Sequence, residues 1–142
     1  MWRWLWPWRR RSETPAHLRA GVWGEEQAEH FLRKQGYRIL GRRVRIGRDE
    51  LDLVARLDAT LVFVEVKTRA SEDFGRPLSA VQRDKRHSLS RAAVRYLKKL
   101  HERPPFFRFD VVEVIGVAEW GVPRIRHVEN AFTLDPSYRV FW

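Results

Sequence analysis

Hydrophobic positions along the chain recur with two different periods, and the switches between them mark the elements. From Ala16 to Gln35 apolar residues fall at helical spacing, with Ala28, Phe31 and Leu32 on one stripe and Gly36 as the stop. Glu25, seven positions before Leu32, shares that stripe, whereas Glu26 and His30 face elsewhere. Tyr37 to Leu40 reads as a short strand, and Gly41 to Asp49 as a basic turn bounded by glycine. Glu50 to Ala55 and Leu61 to Arg69 read as strands joined around Asp58 and Ala59. The second is apolar on both faces, as a central strand covered on two sides should be.

Ser71 to Pro77 is predicted to be a loop, and Ser79-Ala80-Val81-Gln82 a capping box opening a helix that runs to about Leu100. Val81, Leu89, Ala92, Ala93, Tyr96, Leu97 and Leu100 form its inner face, while Arg83, Arg86, Arg91, Arg95, Lys98 and Lys99 form the outer one. Pro104 and Pro105 end it. Phe107 to Ile115 is a strand carrying Arg108 and Asp110, and Val122 to Val128 a weaker one that Pro123 makes an edge. Helix, strands, helix, strands predicts an α/β sandwich with a mixed central β-sheet flanked by helices.

Charges interrupt the apolar runs at three informative places. Asp52 lies in Glu50-Leu51-Asp52-Leu53-Val54, and thirteen positions later Glu65 and Lys67 lie in Val64-Glu65-Val66-Lys67. Burying an unpaired charge is costly, so charges in such runs call for a reason. Residues two apart on a strand share a face, so Glu65 and Lys67 stand side by side, and Asp52 joins them if the two strands are neighbours. Two carboxylates and an ammonium suit a hard divalent cation, Mg²⁺ or Mn²⁺, with a lysine to steady phosphate or activate water. The competing reading is an ordinary Glu-Lys ion pair on a half-exposed strand. Glu50 shares the face of Asp52 and is either a further ligand or a solvated strand residue.

Composition narrows the class. At 142 residues, with 44% hydrophobic and 32% charged residues, the chain reads as one soluble domain, without internal repeats or low-complexity tracts. Absent cysteines exclude disulfides, thiolate zinc sites and cysteine nucleophiles, and fit a cytoplasmic protein. The net charge of +10 points to a polyanion, nucleic acid first and anionic membrane second. Four of the seven tryptophans lie among the first eight residues. This Trp/Arg-rich segment, residues 1–15, is too short and too charged to span a bilayer, and it is expected to be a disordered extension. A membrane role is therefore not expected. The glycines form no phosphate-cradling loop, so no nucleotide cofactor is expected. The histidines, at 17, 30, 87, 101 and 127, show no ligand spacing.

Several basic and polar residues are candidate phosphate contacts. Gln82 and Lys85 lie a helical turn apart just after the Glu-x-Lys strand, although capping alone accounts for Gln82. Arg69 shares the face of Lys67 and suits a bidentate phosphate clamp. Arg83, Arg86, Arg91 and Arg95 form a face that either follows a DNA backbone or is simply solvated. Asp110, two positions from Arg108, reads as a structural ion-pair partner.

Gly24-Glu25-Glu26-Gln27-Ala28, Glu50 to Ala55, Val62 to Arg69, Phe74-Gly75 and Arg108-Phe109-Asp110 resemble, in that order, the YraN family. Its members are small bacterial proteins regarded as predicted endonucleases and similar to archaeal Holliday-junction resolvases. The resemblance runs from about Gly21 to Phe132. It implies a restriction-endonuclease-like fold, with Glu25, Asp52 and Glu65 as metal ligands and Lys67 as the catalytic lysine. Arg43 stands where the family often has asparagine, a position suited to DNA contact. The expectation is thus a single nuclease-like domain over residues 16–142. It would be a metal-dependent endonuclease acting on DNA, with branched or junction DNA implied by the resemblance. A homodimer would let two sites cut two strands. The alternative is a non-cleaving nucleic-acid-binding adaptor on the same fold, against which the intact Asp52, Glu65 and Lys67 count.

Overall fold

A computed structural model describes residues 16–71 and 82–138. The expectations for residues 1–15, Phe74-Gly75, Ser79 and Val81 lie outside the described residues. The elements run α1 (Ala16–Lys34), β1 (Arg38–Ile46), β2 (Asp49–Leu57), β3 (Thr60–Arg69), α2 (Arg83–Lys99), β4 (Phe106–Ile115), a short 3-10 helix (Ala118–Trp120) and β5 (Arg124–Phe132). The five strands form one sheet in the order β1-β2-β3-β4-β5. β3 and β4 pair in parallel and every other neighbour is antiparallel, so the α/β sandwich has the expected mixed sheet.

Alternation along β3 builds the two halves of the core. Leu61 and Phe63 pack with Leu89, Ala92, Ala93 and Leu97 of α2, whereas Val62 and Val64 pack with Ala28 and Leu32 of α1. β3 is central and buried on both faces, as its continuous apolar run predicts. Each large side chain buried here contributes about 1.5–3 kcal/mol. The end of α1 follows its sequence signal. Gly36 takes a φ of 92°, its N–H reaches the Arg33 carbonyl at 3.0 Å, and the Tyr37 N–H reaches that of Leu32 at 3.0 Å. Only a residue free of a Cβ adopts that conformation without strain.

Asp110 holds β4 to β5 and is fully buried. Burial alone would push its carboxyl up. Hydrogen bonds from His127, from Arg108 and from the Asn130 N–H more than offset that and hold it below the ordinary range. The structural pairing expected for Arg108 and Asp110 is therefore present, at 2.9 Å.

Two elements differ from expectation. The basic segment from Gly41 to Asp49 is not a turn. β1 continues through it to Ile46, and the turn is confined to Gly47 and Arg48. Arg42, Arg43 and Arg45 are accommodated because β1 is an edge strand, where charged side chains reach solvent. In α2, Gln82 has an extended backbone (φ −61°, ψ 152°) and makes no side-chain cap bond, so it precedes the helix rather than sitting three positions into it. Pro123 lies just before β5, which is the opposite edge.

Arg91 fastens α2 to the β1–β2 hairpin. Its Nε and Nη2 donate to the two oxygens of Asp49, both at 2.7 Å, and that pairing draws the Asp49 carboxyl below its ordinary value. Arg91→Ala should lower stability by about 1–3 kcal/mol, because nearly buried Asp49 loses its partner. A thermal melt indistinguishable from wild type would show that the pair carries no such load.

Candidate active site

The β2–β3 ladder stops at Leu53 opposite Val64. Beyond that point β2 continues with β1, through Leu51 opposite Val44 and Glu50 opposite Arg45, while β3 continues with β4 as far as Arg69 opposite Ile115. The two central strands therefore fork, and Asp52 and Glu65 are the first residues past the last pair. The fork exposes backbone groups that a ladder would have paired. Asp52 repairs one of them, its Oδ2 accepting the Val66 N–H at 2.9 Å.

A slip in side-chain phase accompanies the fork. Leu51 and Val54 both join the α2-side core, although they lie three apart, and Leu53 joins the α1 side. A regular strand cannot do this, since its period is two. The irregularity falls at Asp52, opposite Arg43 with its φ of 44°. Asp52 is thereby brought beside Glu65, the juxtaposition that shared strand faces predicted.

The electrostatics at the fork are strained. Burial, and then the neighbouring charge of Glu65, push the Asp52 carboxyl up to about 7, with Glu25 adding a smaller push. Glu65 is 5% exposed, and its Oε2 is buried without a hydrogen-bond partner. Its Oε1 faces Lys67 Nζ at 3.3 Å and Lys85 Nζ at 3.5 Å. Glu25 stands at the rim, tied by Arg43 Nε at 2.7 Å. Among the described residues no three acidic or histidine side chains converge closely enough to hold a metal ion as they stand. The donor set nevertheless suits a hard cation: a buried carboxylate beside a carboxyl that resists ionisation is relieved by positive charge.

The other candidates separate into two groups. Gln82 lies just before α2 and Arg83, Lys85 and Arg86 in its first turn, and Lys85 reaches into the fork. Arg69 follows Lys67 on β3, and its carbonyl accepts the Gly116 N–H at 2.8 Å. Arg91 and Arg95 lie farther along α2. Arg91 is engaged by Asp49, and the Arg95 guanidinium lies over Gly47, where a Cβ would be 2.1 Å from Nη1. Glu50 pairs with Arg45 at 3.4 Å on the exposed edge, which favours a solvated strand residue over a ligand.

Glu113 was missed. It is buried opposite Lys67 on β4, with Oε2 3.3 Å from Arg126 Nη1 and Oε1 without a partner. Its signal was the one that exposed Glu65, an acid inside an apolar strand, in Val111-Val112-Glu113-Val114.

Comparison with known proteins shows the family. The profile of the uncharacterised protein family UPF0102 matches residues 24–114, from Gly24 within α1 to Val114 near the end of β4. The chain belongs to this family, which is the YraN family. A UPF0102 protein from Syntrophomonas wolfei is 47% identical over 112 residues, covering 79% of this chain and 96% of its own. One from Symbiobacterium thermophilum is 46% identical over 114 residues, covering 80% and 96%. One from Pelobacter propionicus is 43% identical over 125 residues, covering 87% and 89%. The matched stretch contains Glu25, Asp52, Glu65, Lys67 and Lys85. No helix among the described residues is long and apolar enough to cross a membrane.

Proposed function

We propose that this YraN-family chain is a metal-dependent endonuclease that hydrolyses DNA phosphodiesters at the β2–β3 fork. One observation supports the reading above the rest: Asp52 and Glu65 are forced together, one carboxyl pushed up to about 7 and the other with a buried oxygen lacking a partner, while two lysines attend them. Such a cluster carries an unmet demand for positive charge, an arrangement more common at functional sites than in structural ion pairs. Mg²⁺ or Mn²⁺ held by Asp52 and Glu65, with Glu25 at the rim, would polarise a phosphate and acidify bound water. Lys67 donates from its ammonium to a non-bridging phosphate oxygen and offsets the charge that develops there. Lys85, Arg69 and the start of α2, with Gln82, Arg83 and Arg86, orient the backbone of the substrate. Branched or junction DNA is the substrate drawn from the resemblance to resolvases, and a homodimer in the cytoplasm, built on a single domain over residues 16–142, is the corresponding assembly.

The test is incubation of the full chain with linear, flapped and four-way DNA, with and without Mn²⁺, beside calorimetry with Mn²⁺. Wild type should cut, and Asp52→Asn and Glu65→Gln should lose both cleavage and cation binding. Tight DNA binding without cleavage under any cation would overturn the enzyme and leave the adaptor.

The backbone path gives a second expected result. Reversing Arg83 and Arg95 to glutamate should weaken binding to every DNA sequence and flatten the slope of log K against log salt by about one per lost phosphate contact. An unchanged slope would place the backbone across another surface.

A further inference from the structure

At the same end of the sheet, on the side of α1, a cleft of about 510 Å³ is lined by Arg19, Ala20, Trp23, Thr68, Gly116 and Glu119 among others. That volume is in the range of small-molecule sites. We propose that this cleft receives an unpaired nucleobase of the DNA strand whose phosphodiester lies at the fork. The proposal rests on the endonuclease reading and specifies its substrate as DNA with a base outside the stack.

Position carries the first part of the argument. Thr68 lies on the face of β3 turned towards α1, opposite to that of Lys67, and Trp23 and Glu25 flank Gly24 on α1, so the cleft adjoins the fork on its Glu25 side rather than its lysine side. α1 closes tightly on β3 here: a Cβ on Gly24 would lie 1.9 Å from Thr68 Oγ1. A nucleotide adjoining a phosphate at the fork is thus within reach of the cleft.

Charge carries the second. In a chain of net charge +10, the ionic lining that the described residues give this cleft is one arginine and one glutamate, which cancel, amid apolar surface. Such a lining does not favour phosphate, whereas a neutral heteroaromatic ring suits it. Trp23 supplies a half-buried indole, anchored against the α1-side core. Its Cη2 lies 3.7 Å from where a Cβ on Gly116 would be. Stacking on such a ring tolerates any base, and Arg19 and Glu119 offer a donor and an acceptor to base edges. A base inside an intact duplex must leave its stack to enter, so flapped, single-stranded or branched DNA binds with less expense.

The experiment crosses protein variants with abasic DNA. A flapped oligonucleotide carries a single abasic position, moved nucleotide by nucleotide away from the branch, and affinity for the full chain is measured in buffer free of divalent cations. Wild type should lose about tenfold at one or two positions, the size of one lost base–aromatic stack. Trp23→Ala should bind the unmodified flap about tenfold more weakly and lose nothing further at those positions. Ala20→Trp, which fills the cleft from an exposed helical site, should behave alike without touching the core. If no abasic position couples to either variant, the cleft assignment is overturned. Because affinity is read without catalysis, coupling in a protein that cuts nothing would keep the base site while sinking the endonuclease. Cleavage without coupling would do the reverse.

Discussion

Metal-free Asp52→Asn protein should be more stable than wild type at pH 8, and the advantage should shrink steadily towards pH 4. Asp52 starts from an ordinary value of 3.8 and is pushed up to about 7 in the folded chain. Between those values the unfolded chain has released its proton while the folded chain still holds it. Wild-type stability therefore falls as pH rises from about 4 to about 7, and the loss is complete above 7. About three pH units at about 1.4 kcal/mol each set a ceiling near 4 kcal/mol. Denaturant melts of both proteins from pH 4 to pH 8, without divalent cations, measure the difference. Parallel profiles would mean that Asp52 ionises freely and that the fork is not strained. Added Mn²⁺ should then raise the stability of wild type at pH 8 and leave Asp52→Asn unmoved, since binding to the folded state is what stabilises. The variant would be the more stable protein and the inactive one, a familiar trade where a site concentrates like charge.

The features that the sequence announced are those set by local rules. Helix α1 ends where Gly36 supplies the left-handed residue its last turn needs, and β3 is central because its apolar run leaves no face for water. That Asp52 and Glu65 meet follows from the sequence, because a charge buried in a strand must have a reason and two acids on neighbouring strands can share it. What escaped depends on neighbours far along the chain. The arginines from Arg42 to Arg45 resemble a solvated turn until β1 is known to be an edge strand paired with β2. Arg91 looked like one more base on a basic face, but the hairpin carries Asp49 to it across 42 residues. The position of Lys85 predicts a phosphate contact but not its pairing with Glu65, because helical spacing gives a face and not its target. The phase slip between Leu51 and Val54 was invisible for the same reason. It arises where β2 leaves β3 and a left-handed Arg43 lies across from Asp52, and no alternation in one strand reveals a disagreement between two.

Lys67→Ala should reduce cleavage on the order of a hundredfold or more while leaving the fold intact. Two ammonium groups share Glu65 Oε1, Lys67 at 3.3 Å from β3 and Lys85 at 3.5 Å from α2. Removing Lys67 leaves Glu65 its second partner, and a side chain that is 32% exposed contributes little to the core. Melting should therefore change by less than about 1 kcal/mol. DNA affinity should fall modestly, by roughly one phosphate contact. Cleavage is different, because Lys67 is rigidly placed on the strand that carries Glu65, whereas Lys85 reaches over from the start of a helix. A group acting on charge that exists only in the transition state affects rate far more than binding. Lys85→Ala supplies the control: it removes the other ammonium from the same oxygen and should cost less in rate for a similar change in affinity. Single-turnover cleavage and equilibrium binding on one preparation of each variant decide the matter. Equal losses in both quantities would make Lys67 a phosphate anchor only. Undiminished cleavage would move the active site away from the fork, even in a protein that proves to be a nuclease.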